Sequence, residues 1–141
     1  MVNQNKLRIG IVSWGSISDI HAQAIVAAEN CLLKSVYTSD LSKNEAICSK
    51  YDVSVFNDYT SFLHNSEIDA ISICTPSGAH KEFALKAADA GKHIIIEKPI
   101  EVNIERASDI IAACQKANVK LSVIFQSRYL QAVKQIKKTL E

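Results

Sequence analysis

Residues 7–18 read LRIGIVSWGSIS, which is an apolar strand-like run, a short turn and the first residues of a helical pattern. In dinucleotide-binding folds, the turn between the first strand and the first helix carries the pattern G-x-G-x-x-G. Here the turn reads S-x-G-x-x-S. Gly15 keeps the middle glycine, whose missing side chain lets the backbone approach a pyrophosphate near the N-terminus of a helix. The stretch therefore predicts a cofactor-binding loop made of Ser13, Trp14, Gly15, Ser16 and Ile17.

Two residues of this turn depart from the fingerprint, and both bear on cofactor affinity. Ser13 replaces the glycine that eases the tight turn, and Trp14 is large for its position. Ser18 stands at the third position, which need only be small so that helix and strand pack closely. Because degenerate glycine patterns are common, an ordinary turn between a strand and a helix is the alternative interpretation of this motif alone.

Short apolar runs alternate with helical patterns along the rest of the chain, which is typical of βαβ units around a parallel sheet. The predicted fold class is therefore α/β, with a doubly wound, mostly parallel sheet. We predict strands at residues 7–12, 32–39, 53–56, 68–74, 93–97 and 120–125. We predict helices at residues 17–30, 43–51, 59–64, 78–90, 103–117 and 130–140, the third of them capped by Asp58.

Composition narrows the functional classes. A chain of 141 residues, 48% of them hydrophobic, can form one domain with a sizeable core. The formal net charge of +1 offers no field for nucleic acid or an anionic membrane. No apolar run is long enough to span a bilayer, and the first six residues contain no signal region. We therefore expect a cytoplasmic protein without nucleic-acid or membrane partners. Its 4 cysteines form no C-x-x-C pair, so we expect reduced thiols and no metal site.

A carboxylate follows the second predicted strand. Asp40 lies at about the spacing from Gly15 at which these folds place an acidic residue on the ribose of the cofactor. It would accept hydrogen bonds from the ribose hydroxyls and repel a 2′-phosphate, and Leu41 supplies no cation for that phosphate. The residues therefore predict NAD as cofactor, with NADP possible. The alternative is that Asp40 caps the next helix or lies in a solvated turn, and the two roles are compatible.

Polar residues also follow the fourth and fifth predicted strands, at the edge where open α/β sheets bind ligands. Residues 75–80 read TPSGAH, and residues 97–99 read EKP. Glu97 and Lys98 directly follow an apolar strand and are not typical core residues. One interpretation is a solvated loop entrance. The functional interpretation is that Lys98 hydrogen-bonds a substrate hydroxyl and assists its proton transfer.

Several segments together resemble the Gfo/Idh/MocA family, which includes glucose-fructose oxidoreductase and inositol dehydrogenase. The resemblance extends from Arg8 to Tyr129. It rests on residues 10–18 (GIVSWGSIS), 57–59 (NDY), 67–80 (EIDAISICTPSGAH), 90–99 (AGKHIIIEKP) and 125–129 (FQSRY). The combination of T-P-x-x-x-H with G-K-H-x-x-x-E-K-P is much more specific than any one of these motifs.

The resemblance implies an N-terminal Rossmann domain that binds NAD or NADP and a C-terminal α/β domain that holds a sugar or cyclitol. It implies that Lys98 is the catalytic residue, close to both nicotinamide and substrate. It also places cofactor-contacting residues in the crevice, in the loop after the fifth strand and near the hinge: Thr75, Pro76, His80, Glu97, Lys98, Pro99, Gln126 and Arg128.

The four histidines have a simpler interpretation as residues held by a neighbouring group. For His80, in the first turn of a predicted helix, this is the alternative to a place in the cofactor crevice. For His21, His64 and His93 it is the only role that we expect.

The resemblance divides the chain into an NAD(P)-binding Rossmann domain at 1–126 and the start of a hinge and C-terminal domain at 127–141. Family members are longer, and the aspartate and histidine that usually complete the catalytic group come from their second domain. We therefore expect this chain alone to be inactive. Its last predicted helix carries an apolar stripe, which leads us to expect a homo-oligomer. The stripe consists of Leu130, Val133, Ile136 and Leu140.

The leading functional hypothesis is an NAD-dependent oxidoreductase. It would transfer a hydride between nicotinamide and a secondary alcohol of a sugar, sugar nucleotide or cyclitol, while a general base takes the hydroxyl proton. One alternative is a non-catalytic dinucleotide-binding module or redox sensor, since a fold does not determine a function. Another is a structural remnant that binds nothing, which Ser13 and the unpartnered last helix favour.

Overall fold

Six strands form one parallel sheet in residues 6–141, the part of the chain that the computed structural model describes. The strands are β1 (Leu7–Val12), β2 (Cys31–Tyr37), β3 (Ser54–Phe56), β4 (Ala70–Ile73), β5 (His93–Ile96) and β6 (Leu121–Val123). Their spatial order is β3-β2-β1-β4-β5-β6, and each neighbouring pair is parallel. The predicted doubly wound sheet is confirmed. The strand order reverses between β1 and β4, where such sheets bind ligands.

The helices follow the predicted alternation with the strands. They are α1 (Ser16–Ala27), α2 (Asn44–Tyr51), α3 (Tyr59–Leu63), α4 (His80–Asp89), α5 (Ile104–Lys116) and α6 (Gln131–Leu140). Asp58 is the N-cap of α3, as predicted, because its carboxylate accepts the Ser61 N–H at 2.7 Å. No helix among residues 6–141 has both the length and the apolar character needed to cross a bilayer.

Several strands are shorter than predicted, because side chains take over backbone hydrogen bonds at their ends. β2 ends at Tyr37, since Asp40 opens a turn by accepting the Ser42 N–H. β4 begins at Ala70, because the Asp69 carboxylate accepts the N–H of Arg8. Residues 1–5 lie outside the described residues. They include most of residues 1–6, the segment in which we expect no signal region.

Alternating side chains of the strands enter two apolar cores, one on each face of the sheet. On one face Ile71, Ile73 and Ile94 pack with side chains of α3, α4 and α5. On the other face Ile11 and Val36 pack with α1 and α2. Burial on both faces explains why the strands are apolar almost throughout.

Helix α6 is exposed along its whole length. The predicted stripe is present on it, and its four residues, Leu130, Val133, Ile136 and Leu140, are all solvent-exposed. Self-association through this stripe stays a prediction, and so does the division of the chain after residue 126.

Gly10 on β1 lies in close contact with α3. A Cβ atom at this position would be 2.6 Å from Cζ of Phe62 and 3.0 Å from Cδ1 of Ile68. Phe62 is fully buried, so its ring cannot move aside into solvent. The approach of α3 to the central strand therefore requires glycine at this position.

We predict that Gly10→Ala lowers the free energy of unfolding by about 1–3 kcal/mol, because overpacking a dense core forces side chains and backbone apart. Urea denaturation followed by circular dichroism measures the effect. Gly15→Ala is the matched control, since a Cβ atom there meets no atom within 4 Å. An equal loss in both variants would contradict the steric explanation.

Candidate functional site

Backbone hydrogen bonds align the loops that follow β1, β4 and β5. The N–H groups of Ser13, Cys74 and Glu97 each donate to the last residue of a neighbouring strand, at 2.9, 3.1 and 3.1 Å. All three loops therefore start at the same level on the carboxyl edge of the sheet. The structure brings the predicted phosphate loop, the T-P-x-x-x-H segment and the E-K-P segment together around the place where the strand order reverses.

The predicted phosphate loop has room for an anion. Gly15 is the N-cap of α1, and among residues 6–141 no side chain hydrogen-bonds to this end of the helix. A Cβ atom on Gly15 would meet nothing within 4 Å, so the backbone borders open space at this point. The first N–H groups of a helix have no partner within the helix. The loop therefore fits the pyrophosphate of a dinucleotide.

The two unusual residues of the loop have distinct surroundings. Ser13 has φ +75°, in the left-handed region that favours glycine, which explains why the fingerprint carries glycine there. The Trp14 side chain packs edge-on against Tyr51 of α2, with ring centroids 5.6 Å apart. Ser18, at the third position of the fingerprint, is buried in the first turn of α1, which agrees with the requirement for a small residue there.

Asp40 is the N-cap of the 3-10 turn Leu41–Lys43. Its Oδ1 atom accepts the N–H of Ser42 at 3.1 Å and the hydroxyl of the same residue at 2.6 Å. These hydrogen bonds, the Ser42 hydroxyl first, lower the pKa of the Asp40 carboxyl below its ordinary value. The capping role is thus confirmed. The side chain stays exposed, so a role toward a ribose is compatible with it.

Lys43 is a residue of this region that the sequence interpretation missed. Its Nζ atom lies 3.4 Å from Oδ2 of Asp40 and donates to the carbonyl oxygen of Trp14 at 3.0 Å. A cation therefore links the turn after β2 to the phosphate loop. The spacing of Lys43 three residues after Asp40 was the available signal.

The E-K-P segment divides into a buried and an exposed part. Glu97 is only 7% exposed, so the interpretation as a solvated loop entrance is wrong for this residue. Its Oε2 atom accepts the Lys98 N–H at 3.0 Å, and its Oε1 atom lies 3.0 Å from Nε2 of His21. Lys98 and Pro99 are exposed, and the peptide bond between them is cis. The lysine is thus presented to solvent by a loop whose first residue is anchored.

His80 lies beneath this edge and connects two of the loops. Its ring is 1% exposed, with Nε2 at 3.0 Å from the carbonyl oxygen of Thr75 and Nδ1 at 3.0 Å from that of Pro99. Its part in the site is therefore to hold the loops after β4 and β5 together, as the simpler interpretation expected. Thr75 has a buried Oγ1 atom that finds no hydrogen-bond partner in the described part of the chain, whereas Pro76 is exposed.

Gln126 and Arg128 are both exposed in the 3-10 turn Gln126–Tyr129, but they border different surfaces. Gln126 lines a groove of about 490 Å³ together with His21 and Glu97. Arg128 lines another groove, beside Tyr129 and helix α6. Gln126 thus borders the same groove as Glu97 of the candidate site, whereas Arg128 borders the groove beside α6.

Glu101 anchors the end of the E-K-P loop and was also missed. Its buried carboxylate accepts the N–H groups of Lys81 and Val102 at 2.8 and 2.9 Å and the guanidinium of Arg106 at 3.2 Å. Burial alone would raise the pKa of this carboxyl, but the hydrogen bonds outweigh burial and lower it. No pattern in the sequence marks these contacts, since they join α4, α5 and the loop.

Comparison with known proteins gives a consistent result. The model of the GFO_IDH_MocA oxidoreductase family, described by its NAD-binding Rossmann fold, matches residues 7–125. An uncharacterized oxidoreductase, YrbE, of Bacillus subtilis is 32% identical over 133 residues, and the myo-inositol 2-dehydrogenase of Thermotoga maritima is 27% identical over 138 residues. These alignments cover 94% and 96% of this chain but only 39% and 41% of the relatives, so the chain spans about two fifths of their length.

A solved structure agrees with these relatives. The WlbA dehydrogenase of Bordetella pertussis, in complex with NADH and UDP-GlcNAcA, superposes with a TM-score of 0.91 at 29% sequence identity. The superposition covers 96% of this chain and 42% of that one.

We predict that Glu101→Gln destabilises the protein at neutral pH by about 1–3 kcal/mol, because the amide cannot accept both backbone N–H groups. A carboxyl whose pKa is lowered by folding stabilises the protein above its unfolded pKa, ordinarily 4.5. That stabilisation is lost as the pH falls below 4.5, through the folded value. The difference between wild type and variant should therefore shrink in acid.

Thermal unfolding between neutral pH and the acid range measures this difference. Glu82→Gln is the matched control, since it removes an exposed carboxylate that also bonds to Arg106. A gap between wild type and Glu101→Gln that stays constant with pH would refute the assignment.

Proposed function

Because the chain belongs to the Gfo/Idh/MocA family of oxidoreductases and carries its NAD-binding Rossmann fold, we propose that it is the cofactor-binding part of a dehydrogenase. The reaction proposed is hydride transfer between nicotinamide and a secondary alcohol of a sugar, sugar nucleotide or cyclitol. One observation carries this proposal: the open phosphate loop at Gly15 and the exposed Lys98 follow strands that end at the same edge of the sheet.

Each part of the cofactor site has a chemical role. The nicotinamide, when bound, supplies the hydride chemistry. The N–H groups at the start of α1 bind the pyrophosphate, and the lack of a side chain at Gly15 lets it approach. Asp40 accepts hydrogen bonds from the ribose hydroxyls. Lys98 hydrogen-bonds the reacting hydroxyl of the substrate and assists its proton transfer, which requires the alcohol to be held in line with the nicotinamide.

The charge at the ribose site favours NAD over NADP. The Asp40 carboxylate repels a 2′-phosphate, and Lys43 partly offsets this repulsion because it lies beside the same carboxylate. We therefore propose a moderate preference for NAD. Discrimination of about tenfold requires only about 1.4 kcal/mol.

We predict that the chain binds NADH about tenfold more tightly than NADPH, and that Asp40→Ala narrows this ratio. Fluorescence titration with both cofactors measures it. Asp58→Ala is the matched control, because Asp58 caps α3 through the same pair of bonds to a serine N–H and hydroxyl. Both variants should lose stability, and only Asp40→Ala should change the ratio. Equal binding of both cofactors by the wild type would contradict the role of Asp40.

We also predict that the 141-residue chain binds NADH yet oxidises no sugar or cyclitol. Lys98 alone does not hold an alcohol in line with the nicotinamide, and lost positioning removes several kcal/mol of barrier lowering. Absorbance of NADH across a panel of sugars and cyclitols measures turnover. Lys138→Ala, which removes another exposed lysine, is the control. If the wild type turns over a substrate, and Lys98→Ala abolishes this turnover while Lys138→Ala does not, the chain is a complete small enzyme. If the wild type neither binds NADH nor oxidises a sugar or cyclitol, the alternative of a structural remnant that binds nothing is favoured.

A further inference from the structure

His21 occupies an unusual place for a histidine on an amphipathic helix. It lies one turn after Ile17 on the face of α1 that packs toward the sheet, and its side chain is 12% exposed. Its Nδ1 atom is 2.7 Å from the hydroxyl of Ser72 on β4. Its Nε2 atom is 3.0 Å from the carboxylate of Glu97, just after β5. One ring therefore connects α1 to two neighbouring strands.

The chemistry of the partners assigns the protons of this ring. An ionised carboxylate only accepts, so Nε2–H of His21 donates to Glu97. In the neutral ring Nδ1 then accepts the hydroxyl proton of Ser72. The second carboxylate oxygen of Glu97 accepts the N–H of Lys98 at 3.0 Å. The bonds thus form a continuous chain from β4, through the His21 ring and the Glu97 carboxylate, to the backbone of Lys98.

Glu97 depends on this arrangement because a buried carboxylate needs hydrogen-bond donors in place of water. Within residues 6–141, His21 is the side chain that hydrogen-bonds the Glu97 carboxylate, and the other donor is the Lys98 N–H. Without His21, one carboxylate oxygen would have to turn toward solvent through the adjoining groove. That rotation would carry the other oxygen away from the Lys98 N–H.

We propose that His21 is a positioning residue that holds the Lys98 loop through Glu97, and so couples the phosphate-binding helix to the lysine. The inference rests on the proposed function, in which Lys98 acts beside the nicotinamide. Helix α1 begins at the phosphate loop and carries His21 on its second turn. A ligand that fixes the N-terminus of α1 therefore also fixes the contact that orients the lysine.

Two substitutions at this position separate the two hydrogen bonds. In His21→Gln, the amide nitrogen is as many bonds from Cβ as Nε2 of histidine and can still donate to Glu97. In His21→Asn, the amide is as many bonds from Cβ as Nδ1, so it reaches Ser72 and falls short of Glu97. The two variants differ by one methylene group. His21→Ala removes both bonds, and His64→Ala is a control at an exposed histidine directly after α3.

The first measurement is hydrogen exchange of the Lys98 amide in the 141-residue chain without ligand. We expect protection to fall by about tenfold in His21→Asn and His21→Ala, as for loss of a charge-assisted hydrogen bond, and to persist in His21→Gln. Ser72→Ala should leave the protection largely unchanged, because it keeps the bond to Glu97. Equal protection in His21→Asn and His21→Gln would overturn the proposal. The comparison stands even if His21→Ala does not fold.

The second measurement is titration with NADH and with ADP-ribose, which lacks the nicotinamide. We expect His21→Asn to weaken NADH binding by about tenfold and to leave ADP-ribose binding within about twofold, because only the nicotinamide lies near the Lys98 loop. An equal loss for both ligands would indicate a merely structural role and overturn the proposal. If the wild type binds neither ligand, the proposed function fails, whereas amide exchange still decides the role of His21.

Discussion

The pairing of β1 with β4 is the constraint on which the rest of the structure depends. β1 has β2 on one side and β4 on the other, and all three run in the same direction. A parallel strand cannot be reached by a tight turn, so each connection must return along a face of the sheet. Consequently every strand ends at the same edge. Loops far apart in sequence meet there, at the point where the chain changes the direction in which it adds strands.

Beneath that edge lies a layer of buried and half-buried polar side chains. His80 joins the loops after β4 and β5, Glu101 joins the second of these loops to α4 and α5, and His21 joins α1 to Glu97. Each group is satisfied by hydrogen bonds, and each would be costly to bury alone. The exposed residues of the site, Gly15 and Lys98 among them, stand on this layer. The hydrogen bonds of these underlying side chains therefore fix the geometry of the exposed residues.

The fold, and the sheet edge that carries the candidate site, could be predicted from the sequence because both depend on local patterns. Apolar strands that alternate with helices predicted the parallel sheet, and a side-chain acceptor before a helix identified Asp58 as a cap. The contact between His21 and Glu97 could not be predicted in this way, since 76 positions separate the two residues and their meeting depends on how α1 packs against the sheet. For His21 the sequence indicated only a histidine held by a neighbouring group. Likewise, a solvated loop remained one interpretation of Glu97, because no pattern in the sequence marks the contacts of its carboxylate.

Ser13 shows what the phosphate turn gains from a residue that is not glycine. At φ +75° a serine is strained, and the surrounding ladder, in which its N–H donates to Tyr37, holds it there. Glycine would relieve the strain, but it would also leave the turn many more conformations to visit. Serine restricts the turn to fewer backbone conformations than glycine would allow. The entropy of ordering the turn is therefore lost during folding and not again when a ligand arrives, so the loop is preorganised for whatever anion it receives.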